Sequence, residues 1–191
     1  MLSAKSFLLL TLLSTSLLTV QGQSKASGEV LTPIKKLVVQ VRTSKDAQAL
    51  KQLDMESISR YLLADYHAKA TPQQLSEFAS LFQALFSKIA FPRIRENFKD
   101  LASIIYETPE VNGHEATVAS MVVIDNPVKK QELKLIYTMV KTSKGWKVKD
   151  VAVLGGSMLT GIRDDQVRPL LDAGGIDHLL QEMRKLKDQQ R

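Results

Sequence analysis

The 191-residue chain contains no cysteine. This absence excludes a disulfide scaffold, a cysteine-ligated zinc or iron–sulfur site and a cysteine nucleophile. It also excludes the lipid-modified cysteine of a bacterial lipoprotein. We therefore expect a mature chain that carries no lipid tether.

Residues for catalysis and for phosphate binding are also scarce. The segment Gly155-Gly156-Ser157-Met158-Leu159 approaches a nucleophile elbow, but Leu159 stands where the second glycine is required. Asp150, Ser157 and His178 have the residue types of a hydrolase triad, yet no spacing argument brings them together. Glycine-rich phosphate loops are absent, and none of the three histidines has a ligating neighbour at a useful spacing. The sequence predicts a protein that is not an enzyme and that has no cofactor or metal.

The composition favours one folded domain with a mildly basic surface. Hydrophobic residues make up 44% of the chain, and Lys plus Arg exceed Asp plus Glu by 26 to 20. The lysines around 129–130 and 141–149 cluster near predicted turns. They fit a solvated edge, and a docking patch for anionic headgroups is the alternative interpretation.

The first 22 residues have the pattern of a secretory signal peptide. Lys5 precedes the apolar run Phe7 to Val20, and Val20-Gln21-Gly22 offers a cleavage site. The run of about 14 residues is shorter than the roughly 20 that a bilayer-spanning helix needs. We expect cleavage near Gly22, a single domain over residues 23–191 and export to the periplasm, a compartment without nucleic acid. An uncleaved N-terminal anchor is the alternative.

Helical patterns lie on both sides of the middle of the chain. Thr32-Pro33 predicts the start of a first helix, and Asp54 predicts the cap of a second. The clearest helix begins at Thr71-Pro72-Gln73-Gln74, a capping box that leads into a stripe with three phenylalanines. Pro92 should kink or end that helix. Two further helices follow the strands, and Gly174-Gly175 separates them.

Between the helices the pattern becomes extended. Four strands are predicted at Ile104–Glu107, Ala116–Ile124, Leu133–Lys141 and Trp146–Leu154, with turn signals between them. The order predicts an α+β fold, with helices at both ends of the chain packed over one face of a curved four-stranded antiparallel sheet. Such a cone-like sheet can enclose an apolar cavity.

Two blocks of motifs resemble the MlaC family of periplasmic lipid shuttles, which has the NTF2-like cone architecture. The first is Ala70-Thr71-Pro72-Gln73-Gln74 followed by Phe78 and Phe82. The second starts at Trp146-Lys147-Val148-Lys149-Asp150-Val151 and continues through Gly156-Ser157 and Arg163 to Gly175-Ile176-Asp177-His178-Leu179. The ordered set covers roughly Thr32 to Lys187. The chain departs from the family pattern at Leu154 and Gly155, at Val167 and at Tyr66-His67.

The resemblance implies a monomeric carrier of phospholipid, whose acyl tails lie between sheet and helices. Its implied partners are an inner-membrane ABC transporter with a substrate-binding ring and an outer-membrane lipoprotein complex. Three alternatives stay open: a carrier of a hopanoid or other polycyclic lipid, a periplasmic adaptor with a filled core, and an enzyme on the same architecture.

We expect the wall of the cavity to consist of apolar residues on the face of the sheet that meets the helices. The choice of face depends on strand register, and a shift of one residue would exchange the two faces. The predicted lining residues are Ile105, Met121, Val123, Leu135, Tyr137, Met139, Val151 and Val153 from the sheet, and Leu62, Phe82, Phe86 and Ile89 from the helices.

Overall fold

The computed structural model describes residues 16–126 and 130–189, with side chains from residue 26 onward. Six helices precede six strands, and two helices follow them. The helices are α1 (Ser16–Arg42), α2 (Asp46–Leu50), α3 (Met55–Leu63), α4 (Asp65–Lys69), α5 (Pro72–Leu85), α6 (Phe91–Asn97), α7 (Met158–Ile162) and α8 (Arg168–Gln189). The strands are β1 (Leu101–Tyr106), β2 (Glu110–Asn112), β3 (Glu115–Asp125), β4 (Lys130–Thr142), β5 (Gly145–Val153) and β6 (Gly156–Ser157).

Two π-helical turns connect helices that flank the sheet in sequence. The first π turn (Phe86–Ala90) joins α5 to α6, and the second π turn (Arg163–Val167) joins α7 to α8. Pro92 lies in the first turn of α6, where its missing N–H is tolerated. The predicted change at Pro92 is therefore present as a π turn followed by a new helix.

The predicted start of the first helix at Thr32 is wrong. Helix α1 already contains residues 16–31, so Pro33 lies in its interior. The Thr32 hydroxyl donates to the carbonyl oxygen of Gly28 at 2.7 Å, one turn back, instead of capping a helix end. The predicted signal peptide, residues 1–22, falls largely outside the described residues and stays a prediction.

The other predicted helix signals are confirmed. The Asp54 carboxylate accepts from the Ser57 backbone N–H at 3.3 Å and caps α3. Thr71 and Gln74 form the reciprocal capping box of α5. Helix α8 is interrupted at Gly174 and Gly175, and Gly175 has a φ of 69°, a left-handed conformation that favours glycine.

The sheet is antiparallel, with the strand order β1-β3-β4-β5-β6 and with β2 paired to the start of β3. The predicted α+β fold is confirmed, but the structure has six strands instead of four. The two additional strands, β2 and β6, span three and two residues. Segments this short cannot show the alternation that identifies a strand in a sequence. The turn predicted at Asp125-Asn126-Pro127 lies partly outside the described residues.

The helices cover one face of the sheet, here called the inner face. In β4 the inner face carries Leu135, Tyr137 and Met139, as the alternation in the sequence predicted. The register pairs Ser120 with Leu135 and Val122 with Leu133, so even-numbered residues of β3 share this face. Odd-numbered residues of β3 therefore lie on the outer face.

A β-bulge in β5 changes which residues face inward. Val148 pairs with Met139, while Asp150 pairs with Thr138, so Lys149 is the extra residue. A bulge shifts the alternation by one position. Because of this shift, Val148 faces inward before the bulge and Val151 and Val153 face inward after it.

The buried apolar residues form two separate cores. The first packs α1, α2 and Phe91 against the inner face, and the second joins α3, α5, α7 and α8 to each other. Among the side chains that the structure describes, only Leu53 and Phe86 pack against both cores. The sheet and the helical layer α3–α5–α8 therefore meet along a narrow line of contact.

Polar contacts tie α5 to α8 at the surface. The Gln74 amide donates to the Asp177 carboxylate at 2.7 Å, and Arg184 Nε donates to Glu77 Oε1 at 2.6 Å. The hydrogen bond from Arg184 lowers the pKa of Glu77 below its ordinary value of 4.5. A carboxyl group with a lowered pKa stabilises the folded state above its unfolded pKa and loses that contribution as the pH falls through the folded pKa.

The substitution Glu77→Gln should therefore lower the free energy of unfolding slightly at pH 7. At an acidic pH below the lowered pKa of Glu77, where the wild-type carboxyl group is protonated, the variant and the wild type should approach the same stability. Urea unfolding at the two pH values measures the difference. Glu110→Gln, which removes an exposed carboxylate of β2, is the matched control for loss of a surface charge. An equal loss of unfolding free energy for Glu77→Gln at both pH values would contradict a stabilising Arg184–Glu77 pair.

Candidate functional site

A cavity of about 160 Å³, here called the inner cavity, lies between the sheet and the helices. Its wall is almost entirely apolar and comes from both cores. The sheet contributes Leu101, Ile104, Val122, Leu135, Tyr137, Val148, Val151 and Val153, and α1 contributes Leu37, Val38 and Val41. The remaining apolar lining is Leu53, Ile58, Phe82, Phe86, Phe91, Ile94, Phe98, Met158, Leu159 and Ile162.

A ladder of phenylalanines crosses one side of this cavity. Neighbouring ring centroids lie 6.1 Å apart for Phe78 and Phe82, 5.3 Å apart for Phe82 and Phe86, and 5.1 Å apart for Phe86 and Phe91. Such spacings are those of favourable aromatic pairs. Phe78 and Phe91 are fully buried, and Phe82, Phe86 and Phe91 border the empty space. The ladder thus makes this wall largely aromatic.

The polar residues at the margin of the inner cavity are mostly engaged with each other. Arg95 Nη1 donates to Asp46 Oδ1 at 2.7 Å and to the Val41 carbonyl oxygen at 3.2 Å. Lys149 Nζ lies 3.4 Å from Glu115 Oε1. Arg42 is exposed and forms no ion pair within the described residues. These cations line the margin without placing a free charge inside the cavity.

The Tyr137 ring is the most polar of the side chains that the inner face presents to the cavity. Burial raises the pKa of Tyr137 above its usual value, and burial likewise raises the pKa of the neighbouring Tyr106. The two ring centroids are 6.3 Å apart. Both phenols are therefore neutral at physiological pH.

Asp150 organises the segment that closes the cavity after β5. Its carboxylate accepts three hydrogen bonds: from the Val151 N–H at 2.8 Å, from the Ser157 hydroxyl at 2.5 Å and from the Leu159 N–H at 3.1 Å. Ser157 Oγ in turn accepts from the Thr160 N–H at 3.0 Å and caps α7. The Ser157 hydroxyl thus serves this turn.

Asp150→Ala should be more destabilising than Ser157→Ala. The first change leaves two backbone N–H groups and a hydroxyl without their acceptor, which costs about 1–3 kcal/mol. The second removes one helix cap, which costs about 1 kcal/mol. Denaturant unfolding of both variants measures their free energies of unfolding. A smaller loss of this free energy for Asp150→Ala than for Ser157→Ala would contradict the role of the carboxylate as the acceptor shared by this turn.

A cleft of about 640 Å³, here called the outer cleft, adjoins the inner cavity. It lies between the first π turn and α6 on one side and the second π turn and α8 on the other. Five residues border both spaces: Phe82, Phe86, Ile94, Met158 and Ile162. One layer of side chains therefore separates the inner cavity from the outer cleft.

The family model for the MlaC protein matches residues 31–185. That range includes every described residue that lines either space except Gln189 and Leu186. The chain belongs to the MlaC family. No curated protein sequence matches it at a significant level.

Solved structures show the same fold at low sequence identity. A phospholipid-binding protein from Ralstonia solanacearum, in complex with a phospholipid, superposes with a TM-score of 0.68 at 19% identity; the alignment covers 86% of this chain and 98% of that chain. A protein of unknown function from Mycobacterium tuberculosis aligns with a TM-score of 0.37 at 11% identity over 87% and 94% of the two chains, too weak a likeness for any argument. This MlaC-family chain and the Ralstonia protein therefore share a fold.

The motif residues of the MlaC pattern have structural positions in this chain. Thr71 and Gln74 cap α5, Asp150 and Ser157 tie β5 to α7, and Gly175 interrupts α8. His178 follows this interruption, and within the described residues no hydrogen bond connects it to Ser157. The three residue types of a hydrolase triad are thus present without the geometry of one.

In the part of the chain that the structure describes, no helix combines the length and the apolar character that crossing a membrane requires. No group of three or more His, Asp or Glu side chains there is arranged to hold a metal ion.

The predicted lining residues fall into four groups in this MlaC fold. Leu62 and Met139 are fully buried in the two cores, and Ile89 borders the outer cleft. Ile105, Met121 and Val123 lie on the outer face of the sheet. The six that border the inner cavity are Phe82, Phe86, Leu135, Tyr137, Val151 and Val153.

The prediction that Ile105, Met121 and Val123 face the helices is wrong. Ile105 pairs with Met121, and Met121 pairs with the exposed Lys134, so all these residues lie on the outer face. Ile105 is 63% exposed. The error is a register shift of one residue, because β3 is apolar on both faces and its alternation does not identify the inner one.

Ile104 and Val122 occupy the lining positions that were assigned to their neighbours. Sequence reasoning also missed Phe91, Ile94 and Phe98 as lining residues. The signal for these three was a continuation of the apolar stripe of α5 through and beyond Pro92, where a helix break was expected. The stripe on α1 with Leu37, Val38 and Val41 was recognised as a helix face, but nothing in it indicated contact with the cavity.

The substitutions Ile104→Asp and Ile105→Asp form a matched pair that tests the register. Ile104→Asp places a carboxylate against the apolar cavity and should lower the free energy of unfolding by about 2–4 kcal/mol. Ile105→Asp changes an exposed position and should cost less than about 1 kcal/mol. Chemical denaturation of both proteins gives the comparison, and the opposite order would contradict the assigned faces.

Proposed function

We propose that this chain is a periplasmic lipid carrier that holds a phospholipid by its acyl chains. The carrier takes up and delivers its lipid at two membrane-bound partners, an inner-membrane ABC transporter with a substrate-binding ring and an outer-membrane lipoprotein complex. Export through the predicted signal peptide, residues 1–22, accounts for its location. The inner cavity is the observation that carries the proposal.

The lining of the inner cavity supports acyl chains as cargo. Side chains of Leu, Val, Ile, Phe and Met surround it, and the nearest cations are held by acidic partners or lie at the margin. Interiors of proteins are normally close-packed, so an unfilled apolar space of this size is a cost that a ligand can offset. Membership of the MlaC family agrees with this cargo, as does the phospholipid bound to the Ralstonia protein of the same fold.

The energetics explain why a container is needed. Two acyl chains hold roughly 30 methylenes, and exposing each methylene to water costs about 0.8 kcal/mol. A lipid therefore crosses an aqueous gap only inside an apolar enclosure. Relative to a bilayer the net gain must be close to zero, because a carrier that binds much more tightly than the membrane never releases its cargo.

The volumes indicate that loading requires more than the inner cavity. Ligand pockets commonly measure about 300–1,000 Å³, which is larger than the 160 Å³ of the inner cavity. The inner cavity and the outer cleft together fall within that range. The side chains of Phe82 and Phe86 and their neighbours in the shared layer must move for one lipid to occupy both spaces.

Mass spectrometry of an organic extract tests the proposal. The protein is purified from a periplasmic extract without detergent, and the lipid is quantified per chain. About one phospholipid per chain is expected. A polycyclic lipid in its place would contradict the phospholipid cargo, and an empty protein would contradict the carrier function.

Leu135→Glu should reduce the lipid content of the purified protein by about tenfold, because it places a carboxylate on the cavity wall. The matched control is Ile105→Glu, which adds the same charge to the outer face of the sheet. It should retain the wild-type lipid content. Equal lipid content in the two variants, with circular dichroism confirming that both are folded, would contradict the assigned wall.

A further inference from the structure

The outer cleft differs from the inner cavity in having a polar rim. Its floor is apolar and includes the layer that it shares with the inner cavity. Its rim carries Arg93 and Asn97 from α6, Gln166 from the second π turn, and Glu182, Lys185 and Gln189 from α8. The lining therefore changes from apolar in the inner cavity, across the shared layer of side chains, to polar at the rim of the outer cleft.

The charges on this rim leave one arginine unengaged. Lys185 Nζ is 2.7 Å from Glu182 Oε1, so these two charges offset each other in an exposed pair. Arg93 is exposed and forms no ion pair or hydrogen bond with any residue in the ranges 16–126 and 130–189. The three rim amides, Asn97, Gln166 and Gln189, can donate or accept. The rim thus offers one net positive charge together with neutral hydrogen-bonding groups.

The inner cavity does not offer an equivalent place for an anion. Arg95 is held by Asp46 and by the Val41 carbonyl oxygen, and Lys149 contacts Glu115. Asp150 would repel an anion. Arg42 is the one cation at its margin that is without an ion pair among the described residues, but no polar side chain at that margin is free to assist it.

We propose that the outer cleft is the mouth of the lipid site and that Arg93 binds the phosphodiester of the lipid headgroup. This inference rests on the proposed carrier function. The acyl chains extend from the cleft past Phe86 and Ile162 into the inner cavity. The rim amides contact the remaining headgroup atoms.

The chemistry of the two ends of a phospholipid matches this arrangement. A phosphodiester has one negative charge, which must stay in water or be paired because burying an unpaired charge is costly. A guanidinium group can donate two parallel N–H bonds to two phosphate oxygens, which an ammonium group cannot do in the same geometry. Arg93 and the phosphate therefore neutralise each other at the rim, while the acyl chains displace water from the apolar floor.

The two π turns border this mouth on opposite sides. The first contributes Phe86, Ile89 and Ala90 to the cleft, and the second contributes Gln166 and Val167. A π turn inserts an extra residue into a helix and is frequent at functional sites. Here the two insertions lie where the two helical segments face each other across the proposed entry.

The test compares two lipids with identical oleoyl chains, phosphatidylglycerol and diacylglycerol, which differ in the phosphate-containing headgroup. Binding of each to delipidated protein is measured by displacement of a fluorescent fatty acid. In Arg93→Gln the affinity for phosphatidylglycerol should fall by about tenfold, while the affinity for diacylglycerol stays unchanged. Lys36→Gln, which removes an exposed charge of α1 away from both spaces, is the matched control and should leave both affinities unchanged.

The outcomes separate the two levels of the account. If the wild type binds neither lipid, the proposed carrier function fails. If it binds both and Arg93→Gln leaves the ratio of the two affinities unchanged, the mouth assignment fails alone. A selective loss in Arg42→Gln, without one in Arg93→Gln, would place the headgroup at the opposite margin and would also overturn the assignment.

A second measurement does not depend on the Arg93 variant. Because the chain has no cysteine, single cysteines can be introduced at Asn97 on the rim and at Lys36 as a control. Loading with phosphatidylglycerol should slow maleimide labelling of Asn97→Cys by at least about fivefold and should leave Lys36→Cys unaffected. Equal labelling rates of Asn97→Cys with and without lipid would overturn the assignment of the outer cleft as the mouth of the lipid site. Protection by glycerol 3-phosphate alone, without lipid, would identify a soluble phosphate ester as the ligand and would overturn it too.

Discussion

The separation of the two hydrophobic cores is the constraint on which the site depends. One core holds α1 and α2 on the sheet, and the other holds α3, α5, α7 and α8 to each other. Because Leu53 and Phe86 are the only described residues that pack against both cores, the helical layer rests on the sheet without closing against it. The inner cavity is the space that this limited contact leaves.

Backbone irregularities position the walls of that space. The bulge at Lys149 turns Val151 and Val153 toward the helices, while Asp150 uses its carboxylate to hold the turn into α7. The two π turns interrupt the helices opposite the sheet and border the outer cleft. Regular strands and helices would direct other residues to these positions. The residues of the MlaC motifs thus shape the container, and the apolar residues around them form its surface.

The sequence predicted the fold class, and half of the predicted lining residues border the inner cavity. The misses have physical causes. Strand β4 alternates clearly between apolar and polar residues, so Leu135 and Tyr137 were placed correctly. Strand β3 is apolar on both faces, so its inner face could not be distinguished and Met121 was misassigned. The start of α1 was missed because a proline is usually found in the first turn of a helix, whereas Pro33 lies inside one. The division into two cores depends on contacts between distant segments, which no local pattern records.

The most direct test of the central claim is the location of the acyl chains, measured by paramagnetic relaxation in methyl NMR spectra. A phospholipid with a nitroxide near the end of one acyl chain is bound to protein with labelled Ile, Leu and Val methyl groups. The account predicts strong broadening of the Leu135, Val151 and Val153 signals and little broadening of Ile105 and Val111, which lie outside the cavity. Uniform broadening, or broadening confined to the outer face of the sheet, would contradict it.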